Sequence, residues 1–301
     1  MFNYKHLYRY ISILILVLVC IIVIGRYVYK QEFRLKKLEV HIVDKDFHSV
    51  LIRTPNDKRI IIDGGIGLGL LREVSELLPF YSKRIDVLIV TKKISNNISG
   101  LIDLISRYEV HEIVIPKNFD EEIRDKTFEY FINLAKDKNI PLKYVSFGDK
   151  MKIEDEIYFN ILFPVDSKSF KYSKTSSPEL LLELVYKETR IIFLNSATKK
   201  IQKFILENYN RISSNTALLH TVLVLYKKLS STNTNNDFLK TINPEWIIYS
   251  SRDDVERVDT NFKDNKKNKE QYLINIEILN SKTKKQTTVI SDGNVWNLLS
   301  K

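Results

Sequence analysis

The residues that invite a chemical reading lie in TKKISNNISG, positions 91 to 100, directly after the apolar run Ile85-Asp86-Val87-Leu88-Ile89-Val90. A buried strand that opens into a polar loop and then a helix is where open α/β folds bind their ligands. The side chains on offer are two lysines, two asparagines, two serines and a threonine. None supplies imidazole, carboxylate or thiolate, the groups that hold metals and move protons near neutral pH. Upstream, DGGIGLGLL carries Gly64, Gly65, Gly67 and Gly69, half of the eight glycines in the chain. Their spacing is G-x-G-x-G, with Leu70 where a dinucleotide loop needs its last glycine. A hairpin pattern precedes them instead of a parallel crossover. The stretch reads as a tight turn in which backbone passes close to a neighbour.

The remaining chemistry-bearing residues are dispersed. His6, His41, His48, His111 and His220 are the five histidines, and none has a partner at metal-ligand spacing. His41, His111 and His220 fall in or beside strand patterns, and His48 near Asp44 and Asp46 reads equally as a weak site or as a polar hairpin loop. Asp253-Asp254 sits in a polar loop with nothing to activate it. No P-loop, G-x-S-x-G elbow or H-E-x-x-H occurs. Cys20 is the single cysteine, which excludes an intrachain disulfide and a thiolate zinc cluster.

Elements that would position these residues follow from periodicity. LEVHIVD (38–44), SVLIRT (49–54) and RIIIDGG (59–65) read as strands, the last two joined by the turn PNDK. LGLLREVSELL is an amphipathic helix, RIDVLIVT a buried strand, 98–108 a helix and EIVIP a strand. A helix over 119–138 is followed by strands in LKYVSF, DEIYFNILFP, ELLLELVYK and TRIIFLNS. TKKIQKFILENY is a helix, ALLHTVLVLY a strand, 235–242 a helix and EWIIYS a strand. QYLINIEIL with QTTVISDG reads as a final hairpin, and 263–269 as a solvated lysine-rich loop. Two rounds of antiparallel strands, each closed by helices, suggest sheets packed face to face under helices.

The composition, 44% apolar and 28% charged, is that of a globular chain of 301 residues. The net charge of +10 is uneven. Residues 1 to 37 hold seven basic side chains and one acid, which leaves 40 basic and 36 acidic residues for the rest. The excess therefore flanks the apolar segment from Leu7 to Tyr29, where a membrane surface is the natural partner. That segment, with Arg9 and Arg26 snorkelling, is long enough to cross a bilayer core of ~30 Å. A cleaved signal peptide needs a small-x-small site that IIVIGRYVYK lacks, and Val19 before Cys20 argues against a lipoprotein site. The expected organisation is a tail and anchor over 1–29, a charged linker over 30–37 and one domain over 38–301. Five basic residues follow the span and two precede it, so the positive-inside rule leaves the domain in the cytoplasm.

The order of segments carries a resemblance. LEVHIVDKDFHSVLIRTPNDKRIIIDGG, followed by LLPFYSKRIDVLIVTKKISNNISGLIDLISRYEVHEIVIP, resembles the metallo-β-lactamase-like domain of the ComEC family of DNA-internalisation competence proteins. The likeness continues through LLLELVYKETRIIFLNSA and LVLYKKLSSTNTNNDFLKTINPEWIIYSS, and so spans almost all of 38–250. DGG after the hairpin and T…ISGL after the central strand are its most specific pieces. It implies an α+β fold, a four-layer αββα sandwich with the site at the seam between two sheets. In metal-binding members the loop after LIVT reads His-x-His-x-Asp-His, which serves two adjacent cations. Here Lys92 and Ile94 stand at the first two histidines, and Asn96 and Asn97 at the Asp-His pair. The bridging aspartate falls on Ser196, and a later His-His on Lys227 and Lys228. Ammonium has no lone pair, isoleucine has no donor atom, and an amide is a poor substitute for carboxylate or imidazole.

The resemblance thus implies the fold without its metal cofactor: a membrane-tethered pseudoenzyme with a binding or scaffolding role, linked to DNA uptake by family alone. The competence proteins surround this domain with many spans, so channel function does not carry over, and a polytopic membrane protein is an expected partner. Two alternatives stand beside this reading. Lys92, Lys227 and Lys228 would form a basic cleft for phosphate or nucleic acid, unless they extend to solvent or pair with Asp63. A hydrolase with relocated, non-metal chemistry would need a histidine beside Ser196 or Ser230.

Overall fold

The computed structural model describes residues 4–34, 37–43, 49–78, 82–117, 125–165, 179–195, 198–212, 220–225, 235–249, 277–280 and 287–300. It opens with α1 (Tyr4–Arg34). The stretch Tyr8–Arg26 within it has mean hydropathy 2.5, and none of it is buried against the rest of the protein. At 1.5 Å per residue those 19 residues reach about 28 Å, long and apolar enough to cross a membrane.

The domain is built in two similar halves. In the first, β1 (Leu38–Val43), β2 (Ser49–Arg53) and β3 (Arg59–Ile62) form an antiparallel meander, with Glu39 opposite Arg53 and Arg53 opposite Arg59. The chain then continues in parallel through α2 (Gly69–Leu77), β4 (Arg84–Ile89), α3 (Ser95–Arg107), β5 (Glu109–Pro116), α4 (Lys126–Asp137) and β6 (Leu142–Val145). The second half repeats the scheme. β7 (Lys150–Glu154), β8 (Ile157–Phe163), β9 (Leu181–Tyr186) and β10 (Thr189–Asn195) are antiparallel neighbours. They lead through α5 (Lys199–Ile212), β11 (His220–Leu225), α6 (Asn236–Ile242), β12 (Trp246–Tyr249) and β13 (Glu277–Asn280), where the pairing is parallel. β14 (Thr287–Ser291) and β15 (Trp296–Ser300) return to the first sheet, whose order is β15-β14-β1-β2-β3-β4-β5-β6; the second runs β13-β12-β11-β10-β9-β8-β7.

Side-chain alternation divides the interior into three apolar layers. Ile60 and Ile62 of β3, with Val40, Ile52 and Ile89, meet Phe159, Leu182, Phe193 and Val224 of the second sheet. Ile61 points the other way, joining Leu51, Leu88 and Ile113 under Leu70, Leu101, Leu104 and Phe131 of α2, α3 and α4. On the far side, Ile192, Leu223 and Ile247 pack against Ile205 of α5 and Phe238 of α6. Strands covered on both faces read as unbroken apolar runs, which is why RIII and RIDVLI lack alternation. The result is the four-layer α/β/β/α sandwich that the resemblance implied.

Four readings of the chain change. Each half begins antiparallel but closes with parallel strands. KMKIE, which has no assigned element between the expected strands LKYVSF and DEIYFNILFP, is β7, the edge strand of the second sheet. QYLINIEIL and QTTVIS do not pair as a hairpin: β13 lies beside β12 in the second sheet, and β14 takes the open edge of β1 in the first. Alternation reports which face a strand buries and not which neighbour it joins. The last hairpin is β14–β15, turned by Asp292, which accepts from the N–H groups of Asn294 and Val295, and by Gly293 at φ 98°. Finally, α3 begins at Ser95, three residues earlier than the periodicity suggests. The expected lysine-rich loop at 263–269 lies outside the described residues, as does 119–124 of the expected 119–138 helix.

Candidate functional site

The candidate residues gather at the end of the seam where β3 and β4 finish. β3 passes into Asp63, which adopts a left-handed backbone at φ 56°, a conformation that aspartate tolerates better than most residues. Its N–H bonds the carbonyl of Ile89 at 2.9 Å, tying the turn to β4. The fully buried carboxylate then accepts three hydrogen bonds. Oδ1 takes the Thr91 N–H at 2.8 Å, and Oδ2 takes the Thr91 hydroxyl and, at 2.9 Å, the Asn97 amide. Burial pushes the Asp63 pKa up from 3.8 to about 7, opposed by the Thr91 and Asn97 bonds and reinforced by the nearby Glu179.

The two loops are also joined through backbone. Gly64 N–H bonds the carbonyl of Asn97 at 2.7 Å, Gly100 N–H bonds that of Gly65 at 3.1 Å, and the Ser99 hydroxyl donates to the same Gly65 oxygen at 3.0 Å. The approach is so close that a methyl group on Gly100 would stand 2.1 Å from the Gly64 oxygen. DGG and NNISG therefore interlock, as the reading of the glycines as a close-approach turn anticipated. At the start of α3, Ile94 occupies the cap position without a side-chain bond. Asp125 instead accepts from Ser95 N–H at 3.2 Å while capping α4 through Thr127 and Phe128.

The lysines of TKKISNNISG face different surroundings. Lys93 is buried, with its ammonium 5.1 Å from the centre of the Phe128 ring. Lys92 reaches across the seam, and its Nζ lies 2.9 Å from Oε1 of Glu179, whose side chain is 7% exposed. Glu179 precedes β9, and the next residue, Leu180, bonds the carbonyl of Thr91 through its N–H at 2.9 Å. Asn195, at the end of β10, donates to the carbonyl of Leu180 at 3.3 Å; its buried Oδ1 has no hydrogen-bond partner among the described residues. Thr91, Leu180 and Asn195 thus stitch the strand ends of one sheet to those of the other.

Among the expected site residues, Lys92 and Asn97 come together around Asp63 and Glu179, whereas Ile94 and Asn96 are exposed at the start of α3. Lys92 pairs with Glu179 and not with Asp63, which is satisfied by Thr91 and Asn97. Ser196, Lys227 and Lys228 lie outside the described residues, and so does Ser230. Glu179 was missed because it reads as the polar flank of an apolar strand, 87 residues beyond the lysine it meets.

The described histidine–carboxylate contacts are elsewhere. His41 bonds Thr288 at 3.0 Å and lies 3.4 Å from Glu39, on the face of β1 turned away from the seam. His220 meets Glu245 at the start of β11, the end of the second sheet opposite Asn195. His111 is an exposed residue of β5.

The resemblance implies a dinuclear metal centre here, and the described residues do not fit one. An ammonium already paired with a carboxylate occupies the position of the first ligand, and an amide committed to Asp63 occupies that of the last. Among the described residues no three His, Cys, Asp or Glu side chains stand together in a way that could hold a metal ion.

No protein-family model matches the chain, and comparison with curated proteins finds no match. Among solved structures, the chain is similar to the metallo-beta-lactamase fold protein YhfI from Bacillus subtilis, at TM-score 0.47 and 10% identity over 71% of this chain and 85% of that one. CmlA, a diiron beta-hydroxylase from Streptomyces venezuelae, is similar at TM-score 0.46 and 11% identity over 70% of this chain, which spans only 44% of CmlA. Zn(2+)-bound PqqB from Methylobacterium extorquens is similar at TM-score 0.42 and 8% identity, over 67% of this chain and 73% of that one. The reading of the fold rests on the layers and strand order of the chain itself.

Proposed function

We propose that this chain is a membrane-tethered, non-catalytic member of the ComEC-like branch of the metallo-β-lactamase fold, serving as a binding or scaffolding domain. The observation that carries the reading is the Lys92–Glu179 ion pair. It puts a protein cation and its counter-ion in the seam where the resemblance implies two metal ions and their ligands. Lys92 is thereby engaged inside the protein, which disfavours the open basic cleft that phosphate or nucleic acid would require. A relocated hydrolase draws no support from the described histidines, since His41 and His220 lie away from the seam.

α1 is the tether. The excess of basic residues after the span favours a cytoplasmic domain, and the link to DNA uptake rests on the family resemblance alone. The partner that suits a single-span anchor with an inert domain is a polytopic protein of the same membrane. Cross-linking in intact membranes, followed by purification of the full chain, is expected to recover such a partner, and a reporter fused to Lys301 is expected to be active in the cytoplasm. Recovery of the chain alone, at every cross-linker length, would argue against a scaffold.

A further inference from the structure

At the end of the first sheet opposite the seam lies a cavity of about 500 Å³, lined by Ser75, Ser82, Lys83, Ser106, Arg107 and Tyr108 together with one leucine. Its position follows from strand direction. β1, β3, β4 and β5 all run the same way, so Leu38, Arg59, Arg84 and Glu109 begin them at one end of the sheet. Ser82 and Lys83 immediately precede β4, and Arg107 and Tyr108 immediately precede β5. The chain enters this same end from α1, because Arg34 closes the helix and Leu38 opens β1. Four residues span at most about 14 Å, and β1 lies three strand spacings of roughly 4.8 Å from β4. The cavity therefore belongs to the end of the domain nearest the apolar helix.

Its charges are suited to an anion. Neighbouring cations are engaged: Arg53 and Arg59 pair with Asp57, and Arg84 pairs with Asp86. Neither Lys83 nor Arg107 has an ion pair among the described residues. Behind them the buried guanidinium of Arg59 donates to the Ser82 hydroxyl, and its Nε has no hydrogen-bond partner among the described residues. Because Ser82 Oγ accepts from Arg59, its own O–H remains to be donated to a ligand. Ser75 and Ser106 spend their protons on the carbonyls of Arg72 and Ile102, at 2.7 and 2.8 Å, and present lone pairs. Cations and a hydroxyl donor beside acceptor oxygens match a phosphate that carries a hydroxylated substituent.

We propose that this cavity holds the phosphate headgroup of an anionic lipid from the membrane that α1 enters. The inference rests on reading α1 as a span, and it gives the domain a fixed face toward the bilayer. Anchoring by one helix leaves a domain free to swivel. A headgroup gripped by Lys83, Arg107 and Ser82 would hold this end against the surface and turn the seam outward.

The test uses the full chain in a neutral detergent, offered phosphatidylglycerol or phosphatidylcholine, with bound lipid counted by native mass spectrometry. Retention of phosphatidylglycerol over phosphatidylcholine is expected. Lys83→Ala with Arg107→Ala should lower that retention by roughly tenfold or more, the loss expected when two cations leave an anionic surface. Lys117→Ala with Lys126→Ala removes as much charge from exposed positions at the other end of the domain and should change nothing. Equal losses in both double variants, or no loss in the first, would overturn the proposal. Displacement of the lipid by millimolar inorganic phosphate would do so too, by assigning the cavity to a soluble anion. Alkaline washing of membranes separates the two readings. Release of the chain ends the tether while leaving lipid selectivity in detergent standing. Lost selectivity in a chain that stays embedded ends the cavity proposal alone.

Discussion

Lys92 Nζ and Glu179 Oε1 lie 2.9 Å apart and join the end of β4 in one sheet to the lead-in of β9 in the other. The two charges neutralise each other between the two sheets. Breaking such a pair by removing one member strands the other in a poorly solvated place. Lys92→Ala is therefore expected to destabilise the domain by about 2–3 kcal/mol, below the full range for a buried pair because the lysine side chain is 20% exposed. Lys92→Met combined with Glu179→Met should recover most of that loss, since both charges are gone. Thermal unfolding of the parent, Lys92→Met, Glu179→Met and the double variant checks this, and strictly additive losses would argue against coupling.

Asp63 makes stability depend on pH. A carboxyl whose pKa rises from 3.8 to about 7 on folding binds its proton more tightly in the folded state. Its contribution is complete below pH 4, falls as pH rises toward 7, and is flat above that. The span of about three pKa units corresponds to at most ~4 kcal/mol. Asp63→Asn, which cannot ionise, should flatten this part of the profile measured by denaturant unfolding between pH 4 and 8. Asp63→Ala should instead be destabilising at every pH, by about 2–4 kcal/mol, because it leaves the Thr91 N–H and the Asn97 amide unsatisfied.

The two glycine-bearing loops offer a sharp contrast. Gly100→Ala would drive a methyl group into the Gly64 carbonyl, which is backbone and cannot swing aside, so a loss of about 3 kcal/mol or more is expected. Gly67 has φ 68° with open space around it, and Gly67→Ala should lose only about 1–2 kcal/mol of backbone preference. Similar melting temperatures for the two variants would contradict the interlocked geometry.

The span can be tested without the domain's chemistry. Leu18→Arg places a charge near the middle of the apolar stretch, at a cost of about 2.5–3.5 kcal/mol to insertion. The parent chain is expected to resist alkaline extraction from membranes, and the variant to be partly released.

Much of this architecture was legible because burial on both sides leaves a plain signature. Ile60-Ile61-Ile62 and Val87-Leu88-Ile89 announce central strands, and DGG with ISG announces a close backbone crossing. β7 escaped notice because Met151 and Ile153 alternate with Lys150 and Lys152 and are followed by acids, which leaves too little apolar content to mark a strand. β13 and β14 were seen as strands and mispaired, since partner choice is decided by which sheet edge is open. The seam was half legible. That TKKISNNISG holds poor metal donors follows from residue types, but its pairing with Glu179 depends on a contact between sheets that no local pattern encodes. The same holds for Glu183, which lies wholly buried among apolar neighbours and is satisfied by Asn160 at 2.7 Å, by the hydroxyl of Tyr209 and by nearby Arg190. That network pins α5 to the second sheet.

The most direct measurement is metal content. The full chain, purified without chelator and dialysed in turn against zinc, manganese and ferrous ions, is analysed for bound metal per chain. An ion pair in the seam predicts far less than one equivalent of any of the three, and the same low content in Lys92→Ala. Two tightly held metal ions per chain would contradict the account.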